Sequence, residues 1–74
     1  LRSRTIDNLH ELLSDREINV LCDIAGGKPL AQIAQELHLS AKTITTYRRR
    51  VLDKLQVHSN AELARYAIEH GLIR

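Results

Sequence analysis

Residues 40–55 read SAKTITTYRRRVLDKL, and they hold five of the chain's eleven Lys and Arg residues against one of its nine acids. Projected at roughly 100° per residue, Ile44, Val51 and Leu55 form one apolar stripe with Tyr47 and Leu52 on its flanks. Lys42, Thr45, Thr46, Arg49 and Asp53 fall on the opposite side, which has no apolar residue. Thr43, Arg50 and Lys54 line a shoulder between the two faces. Arg48 projects near the stripe, so its methylenes should lie along the core edge while its guanidinium reaches outward. Ser40 suits an N-cap, and the spacing predicts a helix over residues 41–56.

The segments on either side are helical too. Ser14-Asp15-Arg16-Glu17 has the form of a capping box, which predicts a helix from Asp15 with Ile18, Leu21, Cys22, Ile24 and Ala25 inward. Gly26-Gly27 ends that helix, because glycine tolerates a left-handed cap. Pro29 opens the next, a two-turn helix over Leu30 to Leu37 whose inward positions are Leu30, Ile33, Ala34 and Leu37. His38-Leu39-Ser40 forms the break before the basic helix; a positive φ is tolerated at His better than at a branched side chain. A second capping-box pattern, Ser59-Asn60-Ala61-Glu62, opens a last helix with apolar positions Ala61, Leu63, Ala64, Ala67 and Ile68, and Gly71 closes it. Arg4 to Leu13 is a weaker helical or linker segment from which Ile6, Leu9, Leu12 and Leu13 can dock on the core. The expected architecture is all-α, with no strand-like alternation, internal repeat or low-complexity tract.

At 74 residues the chain makes one domain, near the lower size at which an apolar core holds a fold without disulfides or metal. With 43% hydrophobic and 27% charged residues it is globular in composition, and two Tyr with no Phe or Trp make the core aliphatic. No apolar run approaches the roughly 20 residues that cross a bilayer, and the polar, periodic amino terminus LRSRTIDNLHELL is no cleavable signal, so the expected location is the cytoplasm, with no membrane partner. The single cysteine, Cys22, reads as a small buried side chain. Charge is local: residues 1–39 carry four bases against six acids, residues 40–55 five against one, and residues 56–74 two against two. Such locality is what a polyanion footprint requires.

A short helix, a tight turn and a longer helix with a polar face make a helix-turn-helix, whose second helix can enter the DNA major groove. The apolar stripe would anchor that helix while its opposite face meets base edges. Thr45 and Thr46 are small enough for close approach and offer hydroxyls or methyls, and Arg49 can pair with guanine or phosphate. Lys42, Thr43, Arg50 and Lys54, with the phenol of Tyr47, are placed to fix the helix on phosphates. Tyr47 suits both a core edge and a phosphate contact, having an apolar body and a polar tip.

The run Leu13-Ser14-Asp15-Arg16-Glu17, Val20-Leu21, Ile24-Ala25-Gly26-Gly27, Ile33-Ala34, Leu37, Leu39-Ser40, Lys42-Thr43-Ile44, Tyr47, Leu52, Lys54-Leu55, Val57 and Ala61-Glu62-Leu63 resembles the LuxR/FixJ/GerE-type DNA-binding domain of bacterial transcription regulators. The resemblance covers residues 13–73, including both caps, the turn and the recognition helix. It implies a four-helix domain, a tri-helical core plus a carboxy-terminal helix, over residues 13–74, with residues 1–12 as a linker remnant or short helix. It implies base contacts at Thr45, Thr46 and Arg49 and phosphate contacts at Lys42, Thr43, Arg50 and Lys54. It also implies a homodimer on inverted half-sites through the last helix, here through Asn60, Leu63, Tyr66 and Ala67, with RNA polymerase as a further partner. Leu63 and Tyr66 suit either the core or the dimer seam. The sequence departs from the commonest pattern at Asn60, where many members carry Arg, and at Tyr47, where many carry His. Family members usually place this domain behind a receiver or small-molecule-sensing domain; Tyr47-Arg48-Arg49-Arg50 and the segment from Ser59 to Leu63 look more like the two-component response-regulator branch.

Other readings carry less. Charged residues on an amphipathic helix are ordinarily its solvated face, but the helix-turn-helix order and the local excess of base favour contact with DNA. A helical protein-interaction module using the same basic face on an acidic partner is the alternative from another class. RNA recognition usually stacks bases on aromatic rings, and the basic helix has only Tyr47. Glycine-rich phosphate loop, nucleophile with a matched base and metal cluster are all missing from the sequence, so no enzymatic activity and no cofactor are expected. His10, His38, His58 and His70 lack metal-ligand spacing and read as titrating surface groups.

Overall fold

A computed structural model of the protein describes residues 9–73. A 3-10 turn, Leu9–Leu12, precedes four helices: α1 Asp15–Ala25, α2 Leu30–Leu37, α3 Ala41–Leu55 and α4 Asn60–Glu69. No strand occurs among the described residues, so the fold is all-α. Helix α1 packs against α2, α3 and α4, and α2 packs on α3. Val20, Leu21, Ile33, Ile44, Val51, Leu63 and Ala67 are completely buried at its centre.

Local chemistry starts each helix. The Ser14 hydroxyl accepts from the Glu17 amide at 3.2 Å and the Glu17 carboxylate accepts from the Ser14 amide at 2.9 Å, completing the box. Ser40 caps α3 by accepting from the Thr43 amide at 3.1 Å. Ser59 accepts from the Glu62 amide at 3.1 Å, but the second box differs from expectation: Glu62 takes the amide of His58, at 2.6 Å, one residue before the cap. Pro29 supplies its carbonyl to the Ile33 amide at 3.1 Å, with φ −64° and ψ 148°. Each serine cap is worth about 1 kcal/mol.

All four helices stop the same way. An amide just past the helix reaches five residues back: Lys28 to Asp23 at 3.0 Å, Leu39 to Ala34 at 2.9 Å, Val57 to Leu52 at 3.0 Å and Leu72 to Ala67 at 2.8 Å. This Schellman geometry needs a left-handed residue before the reaching amide. Gly27 (φ 92°), His38 (φ 58°), Gln56 (φ 59°) and Gly71 (φ 70°) occupy that place. Helix α3 therefore ends at Leu55, one residue before the expected limit, because Gln56 is the reversing residue.

Several inward positions differ from those expected. Helix α1 buries Glu17, Val20, Leu21 and Ile24, whereas Ile18 and Cys22 are only half-buried. A charged residue thus occupies one core-facing position, and the stripe is rotated toward Val20. In α4, Leu63 and Ala67 face inward, while Ala61 is exposed and Ile68 is 59% exposed. Leu9 and Leu13 pack against the core, but Leu12 is 49% exposed; Ile6 lies outside the described residues.

Candidate nucleic-acid interface

Helix α3 is held from one side only. Ile44, Val51, Leu52 and Leu55 are buried, so Leu52 lies in the core and not merely on its flank. Tyr47 is half-buried and packs against the same cluster. The α1–α2 corner is braced by the Lys28 ammonium, 2.6 Å from Glu36 and 3.6 Å from Asp23. The hydrogen bond to Glu36 raises the Lys28 pKa above its usual value and lowers that of Glu36. These pairs link the end of α1 to α2, and α2 packs on α3.

The opposite side of α3 is open. Lys42, Thr45, Thr46, Arg49 and Arg50 are exposed. Residues 42, 45, 46 and 49 follow three-and-four spacing and so form one surface. Thr45 Oγ1 donates to the Ala41 carbonyl at 3.0 Å and Thr46 Oγ1 to the Lys42 carbonyl at 3.1 Å. No ion pair among the described residues engages Lys42, Arg49 or Arg50. The amino end of α3 adds the positive pole of the helix dipole beside Lys42. Asp53, exposed one turn beyond Arg49, places negative charge at the far end of the face. Positive charge is therefore concentrated on the first two and a half turns of α3.

The remaining basic residues of the segment are engaged within the protein. Arg48 Nε donates to Asn60 Oδ1 at 2.8 Å, tying α3 to the start of α4. Lys54 Nζ lies 2.8 Å from Glu17 Oε1 and 3.3 Å from the Leu12 carbonyl. Burial would raise the Glu17 pKa, but the hydrogen bond from Lys54, the Ser14 amide and the Lys54 charge together hold it below its usual value. Thr43 is half-buried, its hydroxyl 2.9 Å from that of Ser40. Of the five side chains assigned to phosphates, Lys42 and Arg50 thus project fully, Thr43 and Tyr47 partly, and Lys54 sits in a pair. Sequence reasoning missed that pair, since nothing local signals a contact between residues 37 apart in sequence.

Helix α4 carries the residues expected at a dimer seam. Leu63 and Ala67 have 0% exposure in the single chain, so they have no surface to offer a second copy. Asn60 is exposed and serves Arg48. The Tyr66 hydroxyl accepts from the His10 amide at 3.0 Å and lies 3.1 Å from His10 Nδ1. The Tyr66 ring stacks on that of His70 at 3.9 Å, and His70 Nδ1 donates to the Tyr66 carbonyl at 2.9 Å. Tyr66, His10 and His70 therefore clasp the 3-10 turn to α4, and these two histidines are not isolated surface groups. Cys22 is half-buried, its thiol 3.8 Å from the Leu72 carbonyl, and burial followed by the Asp23 charge raises its pKa. Among the described residues, no His, Cys, Asp and Glu side chains gather into a metal-holding group, and no helix is long and apolar enough to cross a membrane.

Comparison with known proteins agrees with this geometry. Residues 11–67 match the family model described as bacterial regulatory proteins, luxR family. The chain is 43% identical over 63 residues to the response regulator GacA of Pseudomonas viridiflava, covering 85% of this chain and 29% of that protein. It is 42% identical over 60 residues to the response regulator UvrY of Escherichia coli K12, covering 81% and 28% respectively. It is 50% identical over 62 residues to the transcriptional activator protein ExaE of Pseudomonas putida, covering 84% and 29%. The chain spans under a third of the length of these curated relatives.

Proposed function

This chain belongs to the luxR family of bacterial regulatory proteins, and from that premise we propose that it reads double-stranded DNA with α3 in the major groove. The observation that carries this reading is the open face of α3. Lys42, Thr45, Thr46 and Arg49 lie together on a helix whose other side is sealed into the core. Thr45, Thr46 and Arg49 meet base edges; Lys42, Thr43, Tyr47 and Arg50 fix the helix on phosphates. Lys54, neutralised by Glu17, contributes less.

The domain acts as the output part of a response regulator controlling transcription. Support comes from GacA and UvrY, both named response regulators, and from ExaE, named a transcriptional activator. The finer reading is a dimer on inverted half-sites. Its seam lies on the exposed face of α4, where Ile68 presents apolar surface, and not on Leu63 or Ala67.

Fluorescence-anisotropy titration with random and selected duplexes, at two salt concentrations, tests this reading. The wild type should prefer selected sites, and Arg49→Ala should remove that preference while retaining binding to random duplex. A loss from Arg49→Ala that is equal on all sequences would remove its base-reading role. Failure of the wild type to bind any duplex at low salt would assign the basic face to a protein partner.

A further inference from the structure

We propose that Thr45 and Thr46 select A·T pairs, by presenting methyl groups and hydroxyl lone pairs, and disfavour a guanine edge at the positions they face. The proposal rests on the reading of α3 as the groove helix and specifies what its two threonines recognise. A threonine hydroxyl has one proton and two lone pairs. Both protons are already committed inside the helix, to the Ala41 carbonyl at 3.0 Å and to the Lys42 carbonyl at 3.1 Å. Each threonine keeps its methyl and an accepting oxygen for a ligand, on side chains that are exposed.

The major-groove edges respond differently to that pair of groups. Guanine shows two acceptors, N7 and O6, which have nothing to receive from an oxygen whose proton is engaged. An A·T pair offers the adenine N6 amine as donor and the thymine C5 methyl as apolar partner, so it satisfies both groups at once. The cytosine N4 amine offers a donor without a methyl and ranks between. Rotating the hydroxyl proton toward a base would first break the bond to the carbonyl, whereas accepting from an amine breaks none. This back-bonded state is a known habit of threonine within helices, and here both neighbours adopt it.

Arg49 supplies the complementary preference. Its guanidinium donates to guanine N7 and O6, and it follows Thr45 by four residues and Thr46 by three. Those spacings amount to roughly 4.5–6 Å along the helix axis, about one to two base-pair steps. The expected half-site is therefore a guanine contacted by Arg49 with A·T pairs within about two steps, toward the amino end of α3.

Selection from a randomised duplex pool with the wild type, Thr45→Ser/Thr46→Ser, Thr45→Val/Thr46→Val and Arg49→Ala tests this, followed by anisotropy on enriched duplexes carrying deoxyuridine for thymine. A·T pairs should be enriched at the positions whose preference changes in the serine variant, and the valine variant, which keeps the methyls but loses the accepting oxygens, should retain that enrichment at a lower level. Loss of one thymine methyl should weaken the wild type about fourfold, the factor expected for one buried methylene, and leave the serine variant unchanged. Enrichment of G·C at those positions, no change of preference in the serine variant, or equal deoxyuridine sensitivity in both proteins would overturn the proposal while leaving an Arg49-dependent site intact. No enriched sequence at all, with Arg49→Ala indistinguishable from wild type, would overturn the reading of DNA by α3 itself.

Discussion

Lys54 and Lys42 are both lysines of α3, yet their surroundings assign them different work. Lys54 is 2.8 Å from a carboxylate that is 4% exposed, whereas Lys42 is exposed with no ion pair among the described residues. Lys54→Ala would leave Glu17 facing the core without its cation, costing about 1–3 kcal/mol. For a domain of this size that is a drop in Tm of roughly 4–8 °C per kcal/mol. Lys42→Ala should leave Tm unchanged and lower the slope of log K against log salt by about one. Thermal melts and salt titrations of both variants check this, and a Lys54→Ala that melts like wild type would disprove the structural role. The same pair makes stability depend on pH. The folded pKa of Glu17 lies below its unfolded value, so its contribution is present above the unfolded value and is lost as pH falls through the folded one. Wild type should therefore lose Tm relative to Glu17→Gln as pH falls below about 4.3, and be the more stable of the two at pH 7. Parallel Tm profiles would show that Glu17 does not titrate differently in the folded state. The capping half of the role of Glu17 was legible in Ser14-Asp15-Arg16-Glu17, because it joins residues three apart. The ion-pair half was not, because only the packing of α3 on α1 brings Lys54 near.

At the scale of elements, starts were easier to read than stops and faces. Ser14, Pro29, Ser40 and Ser59 carry their cap chemistry in the side chain or ring, so the sequence declares them. The ends share one geometry but use two glycines and two other residues; His38 was recognisable from its place in a short break, whereas nothing in Gln56 signals a left-handed backbone. The α1 stripe was misplaced for a related reason: a periodic reading discards a glutamate as an inward position, and so turns the helix away from Val20. The two non-glycine reversals also store strain. An L-residue in the left-handed region costs about 1–2 kcal/mol, partly offset in a glycine variant by greater freedom of the unfolded chain. His38→Gly and Gln56→Gly should each stabilise the domain by about 0.5–1 kcal/mol, raising Tm by a few degrees. Denaturant melts check this; destabilisation by both variants would mean that the native side chains make contacts worth more than the strain. His38→Gly should leave DNA affinity within twofold, since His38 lies outside the face proposed to read DNA.

In the whole molecule, the open face of α3 and the exposed face of α4 are the two surfaces on which the proposed reading and pairing depend. Arg48 Nε donates to Asn60 Oδ1 at 2.8 Å, linking α3 to the start of α4, so a half-site bound by α3 would set the direction in which α4 presents Ile68. On the other side of α4, the Tyr66 hydroxyl holds the Leu9–Leu12 turn through the His10 amide. Two leucine-class positions on the same helix then make opposite predictions. Leu63 is completely buried, and Leu63→Ala should destabilise the single domain by about 2–5 kcal/mol, enough to unfold much of so small a protein. Ile68 is 59% exposed, and Ile68→Glu should change Tm by no more than about 0.5 kcal/mol allows, because it removes little buried surface. If the α4 face is the dimer seam, Ile68→Glu should bind a single half-site like wild type and lose about tenfold or more on a duplex with two inverted half-sites, as an introduced charge is forced into an apolar contact. Titrations of the two duplexes separate these effects. Unchanged cooperativity in Ile68→Glu would move the seam to another surface, and since Leu63 and Ala67 are sealed in the core, that surface would lie off the inward face of α4 altogether.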